Sequence, residues 1–178
     1  MLFHRDEDSF GRKTRKFNSI LAGEASAKFS LLLGDIGTFD CRISEFPNEE
    51  LVVDYFRWRN EDASRNALNA HCYWLLRKQG QSSKAATDFL ARKSIAFKNE
   101  FLFTNGVNFN DLPYWQKRGI GLYWQEAVKS GFNVKSQETV EYVRKEIKID
   151  MELPMKDEYS EFIRGLLSTC DREREVPK

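Results

Sequence analysis

The stretch from about Glu49 to Lys78, set between Pro47 and Gly80, reads as one long helix, and the rest of the chain has to arrange itself around it. At about 100° per residue, Arg59, Asp62, Asn66 and Asn69 fall within an arc of roughly 80°. Val52, Phe56, Ala63, Ala67, Ala70 and Trp74 form an apolar stripe directly beside them. Polar residues bordering a core, with small alanines between them, suit a cleft wall facing a substrate. They also suit a close helix contact in which Arg59 pairs with Asp62 at i,i+3. Spacing alone leans to the second.

Upstream, Leu2-Phe3-His4-Arg5 resembles the tail of a strand and Asp6-Glu7-Asp8-Ser9 an acidic turn. Asp8 or Ser9 is expected to cap a helix over Phe10 to Leu33, because a short side-chain oxygen accepts the orphan backbone N–H groups there. Its apolar positions Phe17, Ile20, Leu21, Ala25, Phe29 and Leu32 recur at steps of three and four, and Gly34 is the expected stop. Phe39 to Ser44 alternates with period two and predicts a strand with a polar face of Asp40, Arg42 and Ser44, ended by Pro47. Downstream, helices are expected over Ser83 to Ala91 and Ser94 to Phe103, and strands over Gly119 to Trp124 and Thr139 to Leu153. A final helix is expected over Asp157 to Leu167, and Asp171 to Lys178 reads as a flexible tail. Long helices over a few strands predict an α+β sheet layer.

Composition matters mainly for what it excludes. The 178 residues suffice for one domain with a real core, and 41% hydrophobic content argues against a disordered tail. The net charge of +1 hides 28 basic against 27 acidic residues, so RNA binding depends on whether cations share a face. Cys41, Cys72 and Cys170 lie far apart without a CxxC pair, which argues against a disulfide framework and a zinc site and for the reducing cytosol. With His4 and His71 as the only histidines, a His-rich metal cluster is impossible. No apolar run approaches the roughly 18–20 residues of a membrane span, and there is no secretory h-region. A soluble, cytoplasmic protein is expected.

Four motifs carry possible chemistry. Arg12, Lys13, Arg15 and Lys16 crowd the start of the first helix, where cations oppose the helix dipole at a cost of a few tenths of a kcal/mol each. A triphosphate gripped by Lys13 and Lys16, with Arg12 beside them, would explain that placement; a solvated basic turn is the alternative. Lys98 in Phe97-Lys98-Asn99-Glu100 could meet RNA phosphate, although a lone helical lysine is usually just exposed. Tyr114-Trp115-Gln116-Lys117-Arg118 could stack bases, but aromatics beside Pro113 are more often core. His71-Cys72 reads as packing, and Asp6 with Asp8 as a helix cap in preference to a metal pair. There is no P-loop, no GxSxG and no Cys/His metal spacing.

In order along nearly the whole chain, Phe10-Gly-Arg-Lys-Thr-Arg-Lys16, Phe39-Asp-Cys-Arg42, Asp54-Tyr-Phe-Arg-Trp-Arg59, Arg65-Asn66 with Leu68-Asn69, Lys98-Asn-Glu100 and Asn108-Phe-Asn-Asp-Leu-Pro113 resemble the tRNA(His) guanylyltransferase family, especially its bacterial Thg-one-like branch. The resemblance implies a polymerase-palm-like (ferredoxin-like) antiparallel sheet with long helices, incomplete at its N-terminus. Residues 1–46 would be the C-terminal part of the palm, 47–170 the helical and strand region of the same globular unit, and 171–178 a tail. It further implies 3′–5′ addition of GTP-derived nucleotides to the 5′ end of tRNA(His) or of truncated tRNA. In that chemistry a nucleoside triphosphate, ATP or GTP, activates the 5′-monophosphate, and two Mg²⁺ ions stabilise the charge.

By the same resemblance Lys13 and Lys16 match cations that hold a triphosphate. Asp40 and Arg42 match a strand facing the active centre, Asn66 a helix-motif asparagine, and Lys98 a lysine of tRNA handling or activation. Arg59 and Asn69 would face the same centre. Two departures stand out. Ser64 stands where relatives often carry histidine, and a serine cannot exchange protons near neutral pH as imidazole does; Ala67 replaces a second asparagine. The family's metal ligands come from an Asp-Gly-Arg and a Ser-Asp-Glu segment expected upstream of Met1, so the isolated chain is expected to be inactive. It is also expected to expose apolar sheet surface and to associate. Relatives form oligomers, commonly tetramers. The competing expectation is a non-catalytic tRNA-binding or assembly module.

Overall fold

The computed structural model describes residues 9–135 and 137–172; the expected strand tail, Asp6 to Asp8 of the acidic turn and residues 173–178 of the expected tail lie outside that range, whereas Asp171 and Arg172, expected in the tail, end the last helix. The elements in order are α1 (Thr14–Leu33), α2 (Glu49–Lys78), α3 (Ser83–Leu90), α4 (Ile95–Thr104), α5 (Tyr114–Arg118), β1 (Gly121–Asn133), β2 (Glu138–Asp150) and α6 (Lys156–Arg172). The α+β class expected from the pattern is what forms: long helices with one antiparallel sheet of two strands. Residues 53–163 make one compact unit; residues up to 52, together with those from 164 on, make another.

In the second of these, α1 starts later than the periodicity suggests. Ser9–Arg12 is a 3-10 turn in which Phe10, Gly11 and Arg12 all take left-handed backbone angles. A left-handed L-residue costs roughly 1–2 kcal/mol, so the turn is strained at Phe10 and Arg12, and helical hydrogen bonding begins only at Lys13. Lys13 is the N-cap and offers no side-chain bond, in place of a cap at Ser9; the other expected cap, Asp8, lies outside the described residues. Gly34, left-handed at φ 72°, ends the helix as expected.

The expected strand over 39–44 does not form. The preceding segment folds back on α1. The Gly37 and Phe39 amides donate to the hydroxyls of Ser30 and Ser26 at 3.0 and 2.9 Å, and the Ser30 hydroxyl donates to the Gly37 carbonyl. Phe29 and Phe39 meet edge to face at 5.3 Å. A Cβ at Gly37 would collide with the Phe29 ring, so only glycine allows this approach. Cys41 and Ile43 still sit deeper than Asp40, Arg42 and Ser44. Alternation alone makes no strand without a partner for its backbone groups, and the described part of this unit contains none.

In the 53–163 unit, Ser82 and Ser94 cap α3 and α4 by accepting from the Ala85 and Phe97 amides. These helices press Ala86, Leu90 and Leu102, with Phe109, against Leu68, Cys72 and Leu76 of α2. That buried row corrects the expected apolar stripe. Ala70 and Trp74 are exposed, because α3 and α4 dock one residue further round the helix. Toward its N-terminal end α2 buries Val53 and Asn60, and Arg57 bridges Glu61 and Asp157.

β1 and β2 pair over their full length, from Gly121 opposite Asp150 to Asn133 opposite Glu138. The strand expected to end at Trp124 continues nine residues further, to Asn133. At the base of the hairpin, Asp150 accepts from the Glu152 amide and the Tyr123 hydroxyl, and both hold its carboxyl below the usual range. A lowered carboxylate contributes stability that is full above its unfolded value of about 3.9 and fades as pH falls through the lower folded value. Asp150→Asn should therefore flatten the acid limb of the stability–pH curve, measured by urea melts between about pH 2 and 5. An unchanged acid limb would show that the carboxylate carries none of it.

Candidate functional site

The sequence-predicted site residues fall into two groups, one on each unit. At the start of α1, Lys13, Arg15 and Lys16 are exposed, with Lys13 at the N-cap and Lys16 three residues on. The Lys16 and Phe17 amides bond back to the Lys13 carbonyl at 2.8 and 3.3 Å. The amides of Thr14 and Arg15 meet no acceptor among the described residues. A helix start with open N–H groups and flanking ammonium groups is a chemical match for a phosphate. Arg12 sits just before it on the left-handed turn. Further along the same unit, Asp40 and Arg42 form a 3.4 Å pair with side chains 85% and 89% exposed, so the contact is a solvated one.

On α2 the geometry gathers the polar stripe around Asp62. Its carboxylate accepts from the Arg65 guanidinium at 3.3 Å and the Asn66 amide at 3.1 Å, with Arg59 at 4.0 Å. The expected Arg59–Asp62 pair is thus the longest of the three contacts, and Arg65 takes the better position. The network fixes Asn66 while its carbonyl oxygen takes no partner among the described residues. Asn69 lies one turn on and lines a shallow depression with Tyr73, Thr87, Leu90 and Ala91. Tyr73 is held there by a 2.9 Å bond between its hydroxyl and Ser83.

Lys98 is half-buried on α4, and its carbonyl accepts the Cys72 thiol at 3.5 Å. Burial pushes the Cys72 thiol up, with the Lys98 charge pulling the other way. The 114–118 segment is structural. The Lys117 ammonium is buried over Phe109 and Tyr114 and donates to the Asn110 carbonyl at 2.7 Å. Burial, with Arg118 nearby, lowers its pKa. Arg118 lies 4.1 Å over Tyr114 and donates to the Leu153 carbonyl. His71 packs edge to face on Phe109, as expected for packing.

Sequence reasoning passed over Trp58. It is half exposed, with the Arg59 guanidinium 5.5 Å from its ring centroid. A tryptophan four residues before Asp62 and seven before Arg65 shares their side of the helix, and that spacing was the available signal. An exposed ring beside guanidinium groups can stack a nucleobase.

Comparison with known proteins gives one consistent answer. The family described as "Thg1 C terminal domain" matches residues 50–163, nearly the extent of the 53–163 unit. Mouse "Probable tRNA(His) guanylyltransferase" is 26% identical over 136 residues, 70% of this chain and 46% of that protein. Arabidopsis thaliana tRNA(His) guanylyltransferase 2 is 33% identical over 104 residues, 58% of this chain and 18% of that protein. The crystal structure of tRNA(His) guanylyltransferase from Saccharomyces cerevisiae superposes with a TM-score of 0.55 at 25% identity, covering 64% of this chain and 55% of that one. The chain therefore spans about half or less of the length of these curated relatives. With α2, its Asp62 network, the α3–α4 core and the hairpin all inside the matched span, the chain belongs to the tRNA(His) guanylyltransferase family.

Proposed function

We propose that the chain serves RNA 5′-end nucleotidyl transfer, in which GTP-derived nucleotides are added in the 3′–5′ direction to tRNA(His) or to 5′-truncated tRNA. The observation that carries this reading is the family match over 50–163, the span that holds Arg59, Asn66, Asn69 and Lys98. In it, Lys13 and Lys16, with Arg12, neutralise the triphosphate of GTP or ATP, aided by the open amides at the start of α1. Arg59, held with Asn66 about Asp62, meets RNA phosphate, and Asn69 and Lys98 are assigned to the same RNA; Asp40 and Arg42, on the other unit, keep the tRNA-facing role that the resemblance implies. A homo-oligomer, a tetramer by family resemblance, and a cytoplasmic setting complete the proposal.

Two Mg²⁺ ions would supply charge stabilisation at the attacking and leaving oxygens. Among the described residues no group of three or more His, Cys, Asp or Glu side chains converges to hold a metal ion. These residues do not fit such a centre, and its carboxylates are proposed to lie upstream of Met1. The second reading, a tRNA-binding or assembly module without catalysis, differs in one readout. Labelled GTP should be transferred to tRNA in the presence of Mg²⁺ by a polypeptide extended upstream and not by this chain alone. In the extended form, Arg59→Ala and Asn66→Ala should each lower kcat/KM about 10-fold or more, the scale of one charge-assisted contact. Both are exposed, so melting should change little. Transfer by the 178-residue chain alone would sink the placement of the metal ligands.

A further inference from the structure

The depression between α2 and α3, lined by Asn69, Tyr73, Thr87, Leu90 and Ala91, has a volume of about 190 Å³. That is below the roughly 300–1,000 Å³ of a site enclosing a whole small molecule. One flat ring system matches it better than a complete nucleotide. Its base is apolar, since Leu90 is 4% exposed. Tyr73 forms a fixed wall: its hydroxyl donates to the Ser83 hydroxyl at 2.9 Å, and its ring meets Trp74 edge to face at 5.3 Å. An aromatic ring already held by two partners loses little freedom when a second ring stacks on it.

Asn69 is exposed at the rim, and its carboxamide takes no partner among the described residues. That group offers a donor and an acceptor side by side, the complement of an adenine edge, where the amino group donates beside the acceptor N7. Thr87 is less available, because its hydroxyl already donates to the Ser83 carbonyl at 2.9 Å. None of the five lining residues is acidic. Cations stand next to them in the chain. Arg65, itself bonded to Asp62, precedes Asn69 by one helical turn, and Arg92 directly follows Ala91 and is exposed. Arg92 holds a left-handed backbone at φ 59°, where glycine would sit without strain. An aromatic wall, a group that reads a base edge and nearby guanidinium groups are the parts by which proteins take an unpaired nucleotide of RNA. A paired base keeps its faces inside the stack and cannot enter such a recess.

We infer that the α2–α3 depression captures one unpaired nucleobase of the RNA, stacked on Tyr73 and read at its edge by Asn69. The inference rests on the proposed action on tRNA, and it adds that the bound RNA presents a base outside its helix. The test follows the fluorescence anisotropy of labelled RNA hairpins on the 178-residue chain. The hairpins share a short single-stranded overhang whose residues are adenosine, purine riboside (adenosine without its amino group) or abasic. Purine riboside should bind about 10-fold tighter than the abasic form, the scale of one stacked base. Adenosine should gain a further factor of about 5, the scale of one hydrogen bond. Asn69→Ala should abolish the second step alone, and Tyr73→Leu should shrink the first. Arg59→Ala should weaken all three hairpins by a similar factor, since it removes a phosphate contact. Asn69 is exposed, so its variant keeps the test decisive even where Tyr73→Leu fails to fold. Equal affinity for the three hairpins, with Arg59→Ala still weakening them, would overturn the capture and leave the RNA reading standing. An Asn69→Ala chain that retains the adenosine step would overturn it as well. A wild type that binds no hairpin would overturn both.

Discussion

Leu76→Ala should destabilise the 53–163 unit by about 2–5 kcal/mol, the cost of emptying a fully packed leucine site. Leu76 is 1% exposed and sits where α2 meets α3 and α4, among Leu68, Cys72, Ala86, Leu90, Leu102 and Phe109. Nearly every direction around it is occupied by packed apolar side chains or helix backbone, so the cavity has little room to collapse. In a thermal melt this should appear as a fall of roughly 5–15 °C for a chain of this size. Trp74→Ala, two residues earlier on the exposed side, removes a larger side chain and should cost under about 0.5 kcal/mol. The contrast fixes which row of α2 faces the core. Equal losses at the two positions would mean that the helix is rotated from the orientation described.

Replacing Lys13 and Lys16 together with alanine should weaken GTP binding about 100-fold or more, counting roughly 1.5 kcal/mol for each charge-assisted contact to phosphate. Titration calorimetry on the upstream-extended polypeptide measures this directly. Rising salt should weaken the wild type more than the double variant, since screening acts on the charges that have been removed. The same substitution should leave stability level or raise it by a few tenths of a kcal/mol, because the lysines oppose the dipole at the start of α1. Affinity and stability thus move in opposite directions, which a loss of folding cannot imitate. An unaltered GTP affinity would remove the phosphate assignment altogether.

How far the chain can be read without coordinates varies with the reach of the interactions involved. α2 runs over Glu49–Lys78 as its sequence pattern indicates, and α3 and α4 begin behind serines whose hydroxyls accept the first free amides. These are local devices, written in neighbouring residues. The 39–44 stretch fails for the opposite reason: a strand needs a partner, while its first amide, at Phe39, and the Gly37 amide before it are bonded to Ser26 and Ser30 of α1. The start of α1 shifted because Phe10 and Arg12 take backbone angles that no side-chain pattern encodes. The apolar stripe on α2 was misplaced by one residue because Ala86, Leu90 and Leu102 decide which side is covered. Of the candidate site, the residue types along α2 were legible, but Asp62 as the common acceptor for Arg65 and Asn66 was not. Three side chains within reach of one carboxylate look alike in spacing and differ only in rotamer.

The placement of Cys72 has a practical consequence. Its sulfur is 0% exposed and bonded to the backbone of α4, whereas Cys41 lies half-buried outside any helix or strand. A thiolate must form and be reached before an alkylating reagent can react, and at Cys72 neither happens until α4 lifts from α2. The rate at which that thiol is modified therefore counts the excursions of one helix pair. Cys41 serves as the reference for a site needing no such opening, so the molecule carries a stopwatch for its own breathing.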